Sequence, residues 1–289
     1  MPVAPAQDSV AASEVSLYRN VIKIKREHKL ENLGISFYDF DSTIQWAYNA
    51  DEYFHAASTM KLAVLLGVFR QIYRGELDLQ APVHIRNRFT SIVNQEPFML
   101  DLGRDADPNV HGHLGKTLTV KELAYWMIVL SSNLATNLLV DVVSIPTIQL
   151  ALDELEIDGV KVLRGVEDQR AYEAGLNNEV TANGLLKLLR VIADGKAYSQ
   201  EICNQMLEIM LDQHFRSGIP AGLPKGAKVA HKTGNISSVH HDAGIVYLEG
   251  RKPYALVILT QFDPEDGRGD AVADVSRDIY KTLAESTYE

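Results

Sequence analysis

Asp242-Ala-Gly-Ile-Val-Tyr-Leu248 and Tyr254-Ala-Leu-Val-Ile-Leu-Thr260 read as two neighbouring β-strands joined by a turn at Gly250. A third strand precedes them from about Val229. The other end of the chain carries the same character. Leu33-Gly-Ile-Ser-Phe-Tyr-Asp-Phe40 places bulky residues at alternate positions, Asp39 to Thr43 is turn chemistry, and Ile44 to Tyr48 resumes the apolar run, so a hairpin is expected there. The centre is helical by pattern. Helices are predicted over Lys61–Tyr73, from the Thr119-Val-Lys-Glu122 capping box to Leu130, and over Leu134–Val143, Thr181–Ala193 and Gln200–Leu211. Two more helices flank the strands, Ser13 to about His28 and Ala271–Ala284, with residues 1–12 expected to fray. Residues 75–116 and 156–178 are mixed and turn-rich. The economical solution is a mixed α/β (α+β) fold: one antiparallel sheet built from both chain ends and flanked by helices, with an all-helical domain inserted. The expected division is a discontinuous sheet domain, 13–57 with 220–289, and a helical domain, 58–219.

The 289 residues are enough for two ordinary domains, and 46% hydrophobic with 23% charged residues is globular composition. Cys203 is the lone cysteine, so no intrachain disulfide can form. Twenty-eight Lys and Arg against 38 Asp and Glu leave a net charge of −10, which argues against a nucleic-acid binder. No stretch approaches the roughly 18 apolar residues of a membrane span. Met1 to Asp8 has neither a basic nor an apolar signal region, which leaves open a protein that stays inside the cell and one whose signal has been removed.

Three short motifs carry chemistry. In Ser58-Thr-Met-Lys61, a serine at a helix start has a lysine one turn on, on the same face. Serine needs a neighbouring base to act as a nucleophile, and a desolvated lysine can serve. The plainer reading is a capping serine with a solvated lysine, but the helix is apolar throughout. In Ser131-Ser-Asn133, a hydroxyl and an amide two residues apart can face one cleft, or simply cap a helix. In Lys232-Thr-Gly234, strand alternation puts Lys232 and Gly234 on one face and Thr233 on the other. Gly234 would let a ligand lie against the backbone. The plainer reading is an edge strand with a protective lysine.

The order Ser-x-x-Lys, Ser-x-Asn, Lys-Thr-Gly resembles the signature of the penicillin-recognising serine enzymes, class A β-lactamases and penicillin-binding proteins. Leu130-Ser-Ser-Asn-Leu-Ala-Thr-Asn-Leu-Leu139 and His231-Lys-Thr-Gly with Asp242-Ala-Gly-Ile-Val extend the likeness, which spans roughly residues 15 to 285. The resemblance implies a β-lactamase/transpeptidase-like fold, and Ser58 as the nucleophile, its proton accepted by Lys61 directly or through Glu173 and a water. It also implies an oxyanion site at the backbone N–H groups of Ser58 and Asn235. Ser131 would relay a proton to the leaving nitrogen with Lys232, Lys232 and Thr233 would bind a substrate carboxylate, and Asn133 an amide carbonyl. Glu173-Ala-Gly-Leu-Asn177 fits the omega-loop pattern of class A, so Glu173 would activate the deacylating water and Asn177 would hold it.

Two departures stand out. Val180-Thr-Ala182 follows the loop almost at once, so the loop is short and Glu167 competes with Glu173. Ser132 stands where class A commonly has aspartate, a largely structural group. The implied reaction needs no metal or other cofactor. The implied substrate is a small β-lactam or peptide-like molecule, and a monomer is expected. The family's usual address is periplasmic or secreted. Alternatives are a DD-peptidase or small-ester esterase of the same superfamily with slow deacylation, and a catalytically silent binding module that keeps the fold.

Several other groups have a plain reading beside a sharper one. His111-Gly-His113 beside Asp105 and Asp107 could hold a metal, although a solvated loop explains it. His240-His-Asp242 could likewise hold a metal, although a turn entering a strand explains it. Arg268 could anchor a second carboxylate. Tyr125 and Trp126 read as core.

Overall fold

The computed structural model describes residues 6–265 and 271–284. Helix α1 (Ala6–Glu27) precedes β1 (Leu30–Asp39) and β2 (Gln45–Tyr48). The central helices are α2 (Lys61–Tyr73), α3 (Val120–Val129), α4 (Asn133–Val143), α5 (Ile145–Glu154), α6 (Ala182–Ala193) and α7 (Gln200–Leu211). Strands β3 (Lys228–Ile236), β4 (Val239–Tyr247) and β5 (Tyr254–Phe262) follow, then α8 (Ala271–Ile279). Helix α1 starts at Ala6, earlier than the hydrophobic period indicates, because alanines extend a helix without adding to its apolar stripe. At the other end a π-helical segment, Tyr280–Ala284, replaces the last expected α-turn.

The five strands form one antiparallel sheet in the order β3-β4-β5-β1-β2. Both chain ends therefore build it, as the periodicities predict. Strand β5 reads as a nearly unbroken apolar run because both of its faces are covered. On one face Ile35, Phe37, Leu256 and Ile258 pack with Leu17 and Val21 of α1 and Val272 and Val275 of α8. On the other, Ala230, Ala243, Ala255, Val257 and Leu259 join the core of the helical part.

Helix α2 is the axis of that second core, with every residue from Lys61 to Arg70 buried. A helix apolar on all sides must be surrounded, and α2 is. Gly67 sits where α5 crosses it: a Cβ there would lie 2.8 Å from Ile148 Cγ1. The Thr119–Glu122 capping box starts α3 as expected, and Ser132 caps α4 by accepting from Ala135 N–H. Among the described residues no single helix is long and apolar enough to cross a membrane.

The α2–α5 crossing gives a direct test. Gly67→Val should destabilise the fold by about 1–3 kcal/mol through overpacking. Combining it with Ile148→Ala should cost less than the sum of the two single changes, because the colliding group is gone. Thermal unfolding of the four proteins measures this, and strict additivity would refute the close approach.

Candidate active site

Ser58 lies in a 3₁₀ turn, Ala57–Met60, that runs straight into α2, so Lys61 follows it by one helical step. The turn is held in an uncommon shape. Ala57 has φ +45°, a left-handed conformation that costs a non-glycine residue about 1 kcal/mol or more. Two histidines brace it. The Ala57 N–H donates to His55 Nδ1 (3.1 Å), and the His55 carbonyl accepts from His241 Nε2 (3.0 Å). His241 accepts at Nδ1 from Thr260 N–H, so its partners fix the Nε2–H tautomer. Desolvation depresses its pKa to about 4, which keeps the ring neutral at ordinary pH.

Strand β3 lies against this turn. A Cβ on Gly234 would meet Thr59 Cγ2 at 3.0 Å and Ala57 Cβ at 3.3 Å. The glycine therefore makes room for the serine's own turn, where the sequence suggests room for a ligand. Alternation then sends Lys232 to the same inner side. Strand β3 is the sheet edge, as expected, yet Lys232 is fully buried.

The two lysines meet at Ser131. Lys61 Nζ donates to Ser131 O (2.7 Å), Ser131 Oγ (3.1 Å) and Asn133 Oδ1 (2.9 Å). Lys232 Nζ donates to the same Ser131 Oγ (3.0 Å) and to Thr233 O (2.9 Å). Two ammonium donors fill both lone pairs of the hydroxyl, which leaves its own hydrogen to donate elsewhere. Ser131 also has a left-handed backbone, φ +59°, at the junction of α3 and α4. Burial lowers the pKa of Lys61 to about 7, against the pull of Asp105 and Glu167. Burial also pushes Lys232 well down, and the Lys61 charge pushes it further, while Asp242 opposes both.

The cleft above these groups has a volume of ≈ 400 Å³ and is lined by Ser58, Ser131, Asn133, Thr233, Asn235 and His240, among others. An adjoining cleft shares Ser58, Asn133 and Asn235 and adds Glu167, Asn178 and Tyr172. The three motifs thus converge on one pocket. Asn133 links the two halves: its Oδ1 accepts from Lys61, and its Nδ2 donates to Glu167 Oε1 (2.9 Å). Glu167 Oε2 accepts from Asp101 N–H (2.9 Å).

Glu173, the glutamate of the Glu-x-x-Leu-Asn pattern, is not brought to this group. It ends a five-residue helix, Gln169–Glu173, is exposed, and bonds back to Gln169 (3.1 Å). The short loop is the reason. Arg164 closes its neck on Leu176 O and Asn177 Oδ1, and Asn178 Oδ1 accepts from the Leu163 and Arg164 amides. Asn177 thereby serves the neck, and its neighbour Asn178 reaches the cleft. Asn137 pins the loop from α4 by a two-way bond with the Val166 backbone (2.7 and 2.9 Å), which sets Glu167 beside Asn133.

Other groups fall into place around the pocket. His240, His241 and Asp242 lie inside β4, where the sequence suggests a turn. Asp242 accepts from His231 Nδ1 (2.9 Å) and Ile219 N–H (2.8 Å), with both side chains of the His231–Asp242 pair fully buried. Asp105 and His111 are bonded to each other in a buried site and not solvated. Tyr125 and Trp126 meet edge to face and pack against the core. Arg268 lies outside the described residues. Sequence reasoning missed His55, Asp105, Asn137, Asn178 and His241 as site residues. All act on backbone or on another site residue, so no motif spacing marks them.

Residues 16–283 match the β-lactamase enzyme family. β-Lactamase 3 of Bacillus cereus is 27% identical over 281 residues, covering 90% of this chain and 79% of that protein. A β-lactamase structure from Xanthomonas campestris superposes with TM-score 0.81 at 22% identity, over 94% of this chain and 98% of that one. A point mutant of PBP-A, solved as its acyl-enzyme complex with penicillin G, gives TM-score 0.77 at 24% identity, over 93% and 96%. With its three motifs gathered in one pocket and the family match running almost end to end, the chain belongs to the β-lactamase enzyme family.

Proposed function

We propose that the protein is a class A-type serine β-lactamase, opening the lactam amide through a Ser58 acyl-enzyme and releasing the product with water. The observation that carries this is the Ser131 hydroxyl held between two buried lysines beside the Ser58 turn. Breakdown of β-lactams, and with it antibiotic resistance, would be the consequence.

The hydrogen bonds around Ser131 support the following steps. Once neutral, Lys61 has given up one of the three donations its ammonium makes, and the freed lone pair takes the Ser58 proton as the oxygen attacks the carbonyl. The backbone N–H groups of Ser58 and Asn235 receive the oxyanion. The ring nitrogen leaves with the Ser131 proton, which Lys61 replaces across their 3.1 Å contact. Lys232 holds Ser131 in place and, with Thr233, sets a positive pole for a substrate carboxylate. Asn133 is placed to bind an amide carbonyl. For deacylation Glu167 takes the water's proton as water attacks the ester; the acyl–Ser58 bond then breaks, and the Ser58 oxygen leaves with that proton, returned by Glu167. Glu167 fits this task better than Glu173 because it lines the cleft beside Ser58 and reaches Lys61 through Asn133.

A second reading, an enzyme that acylates but deacylates slowly, is favoured by one observation. Both Glu167 oxygens are engaged, by Asn133 and by Asp101 N–H, so a water must compete for them.

Intact mass after benzylpenicillin exposure, followed in time, separates these outcomes. The wild type should gain and then lose the mass of one penicillin, and Ser58→Ala should gain none. Glu167→Gln should retain the adduct at least about 100-fold longer, as loss of a general base predicts. Glu173→Gln should match the wild type. An adduct that persists in the wild type selects the slow reading, and labelling of Ser58→Ala sinks both.

The pH profile of acylation provides a second test. Lys61 must be neutral to accept a proton, and its folded pKa is near 7. The acylation rate should therefore rise with pH and level off above about 7. A profile flat across the acid and alkaline sides of that value would remove Lys61 as the base.

A further inference from the structure

Asp105 lies on the loop before α3, across the pocket floor from the Ser-x-Asn motif. Its side chain is fully buried. Oδ2 accepts from the backbone N–H of Asn133 (2.9 Å) and of Leu134 (3.0 Å), the first two residues of α4, and from His111 Nε2 (2.9 Å). Oδ1 accepts from Asp107 N–H (3.2 Å). The third free amide of α4, Ala135, is capped by Ser132. A helix start leaves these donors without intrahelical partners and favours an anion beside them. Ser132 supplies an oxygen there but no charge. His111 must donate from Nε2 to a carboxylate oxygen, and its Nδ1 is buried with no hydrogen-bond partner among the described residues. The ring is thus aimed at Asp105 alone. The sequence offers this Asp-His pair as half of a metal loop. Among the described residues no cluster of three His, Cys, Asp or Glu is placed to hold a metal.

We infer that Asp105, buttressed by His111, supplies from the facing loop the carboxylate that the Ser-x-Asn motif lacks at Ser132, and so positions Ser131 and Asn133 around Lys61. Asp105 acts through the α4 backbone, as a positioning residue. It pins the N–H of the residue whose side chain bridges Lys61 to Glu167. The ionisable groups that act on Lys61 are Asp105, Glu167 and Lys232. Asp105 therefore also helps to hold the proton that Lys61 must lose. The effect on acylation rests on the function proposed above, whereas the anchoring of α4 does not.

A carboxylate swap tests both parts. Asp105→Ser should speed hydrogen exchange at the Asn133 and Leu134 amides. It should also slow penicillin acylation by roughly 10- to 100-fold, the loss of hydrogen bonds to a charged acceptor. Ser132→Asp added to that variant should recover most of both. Ser132→Asp alone should harm both, because two carboxylates would then crowd one buried site. The sign of the Ser132→Asp effect thus reverses with residue 105. The same sign in both backgrounds, or no effect of Asp105→Ser on exchange, overturns the inference. Asp105→Asn, nearly isosteric, covers a failure of the serine variant to fold. With the charge gone, Lys61 protonates less readily, and the acid limb of acylation should move to lower pH, a shift that a purely structural role would not produce. An unmoved limb contradicts the electrostatic part. If the wild type proves unreactive towards penicillin, the proposed function falls, and the exchange data still decide the anchoring.

Discussion

One hydroxyl ties the sheet to the helices. Ser131 Oγ receives Lys61 from α2 and Lys232 from β3, two chain segments 171 residues apart in sequence. Neither lysine has a carboxylate in hydrogen-bond contact among the described residues; Lys61 is met by hydroxyl, amide and carbonyl oxygens, and Lys232 by a hydroxyl and a carbonyl. Two amines in such a setting repel each other and lose hydration, and the depressed pKa values follow from those two causes. Carboxylates stand one shell further out: Asp105 and Glu167 act on Lys61, and Asp242 acts on Lys232. That distance matters. A carboxylate in direct contact would hold the proton on Lys61 and remove its capacity as a base, and none at all would leave the pocket with uncompensated charge.

Three residues with strained backbones border the same place. Ala57, Ser131 and Glu167 all have left-handed backbones without being glycine. Each strained residue is locked by neighbours: Ala57 by the His55 ring, Ser131 by the two lysines, and Glu167 by Asn133 and the Asn137-pinned loop. Such conformations persist when the surroundings over-determine them. Here they set Ser58, Ser131 and Glu167 along two adjoining clefts from three separate segments.

What could be read from the sequence follows the kind of force involved. The sheet was legible because burial on both faces leaves long branched and aromatic runs at both chain ends, and the helices because their caps and periods are local. The lysines and Ser131 were legible through motifs that record side chains meeting in space. The loop was not. Glu173 matches a pattern of spacing, but spacing does not report that Arg164 and Asn178 close the loop early and turn residue 173 outward. The histidines were misread for a related reason. His241 and His111 look like metal ligands by type, and only their partners, a carbonyl and a buried carboxylate, reveal them as braces.

The site also works against the fold. The Lys61 pKa falls from its ordinary 10.5 to about 7, so between those limits the unfolded chain binds a proton that the folded chain does not. Stability therefore rises with pH across that window, and below its lower limit the whole deficit is present, on the order of 5 kcal/mol. That is comparable to the net stability of many domains. The offset must come from elsewhere, and α2 supplies it in place: from Leu62 to Phe69 the helix is buried on every side, so the segment that carries the costly amine is also the axis of the larger core. Moving the amine to a surface helix would relieve the deficit, but it would also rehydrate the base and restore an ordinary lysine. The chemistry and the destabilisation are the same burial seen twice, and the packing around α2 lets the protein keep both.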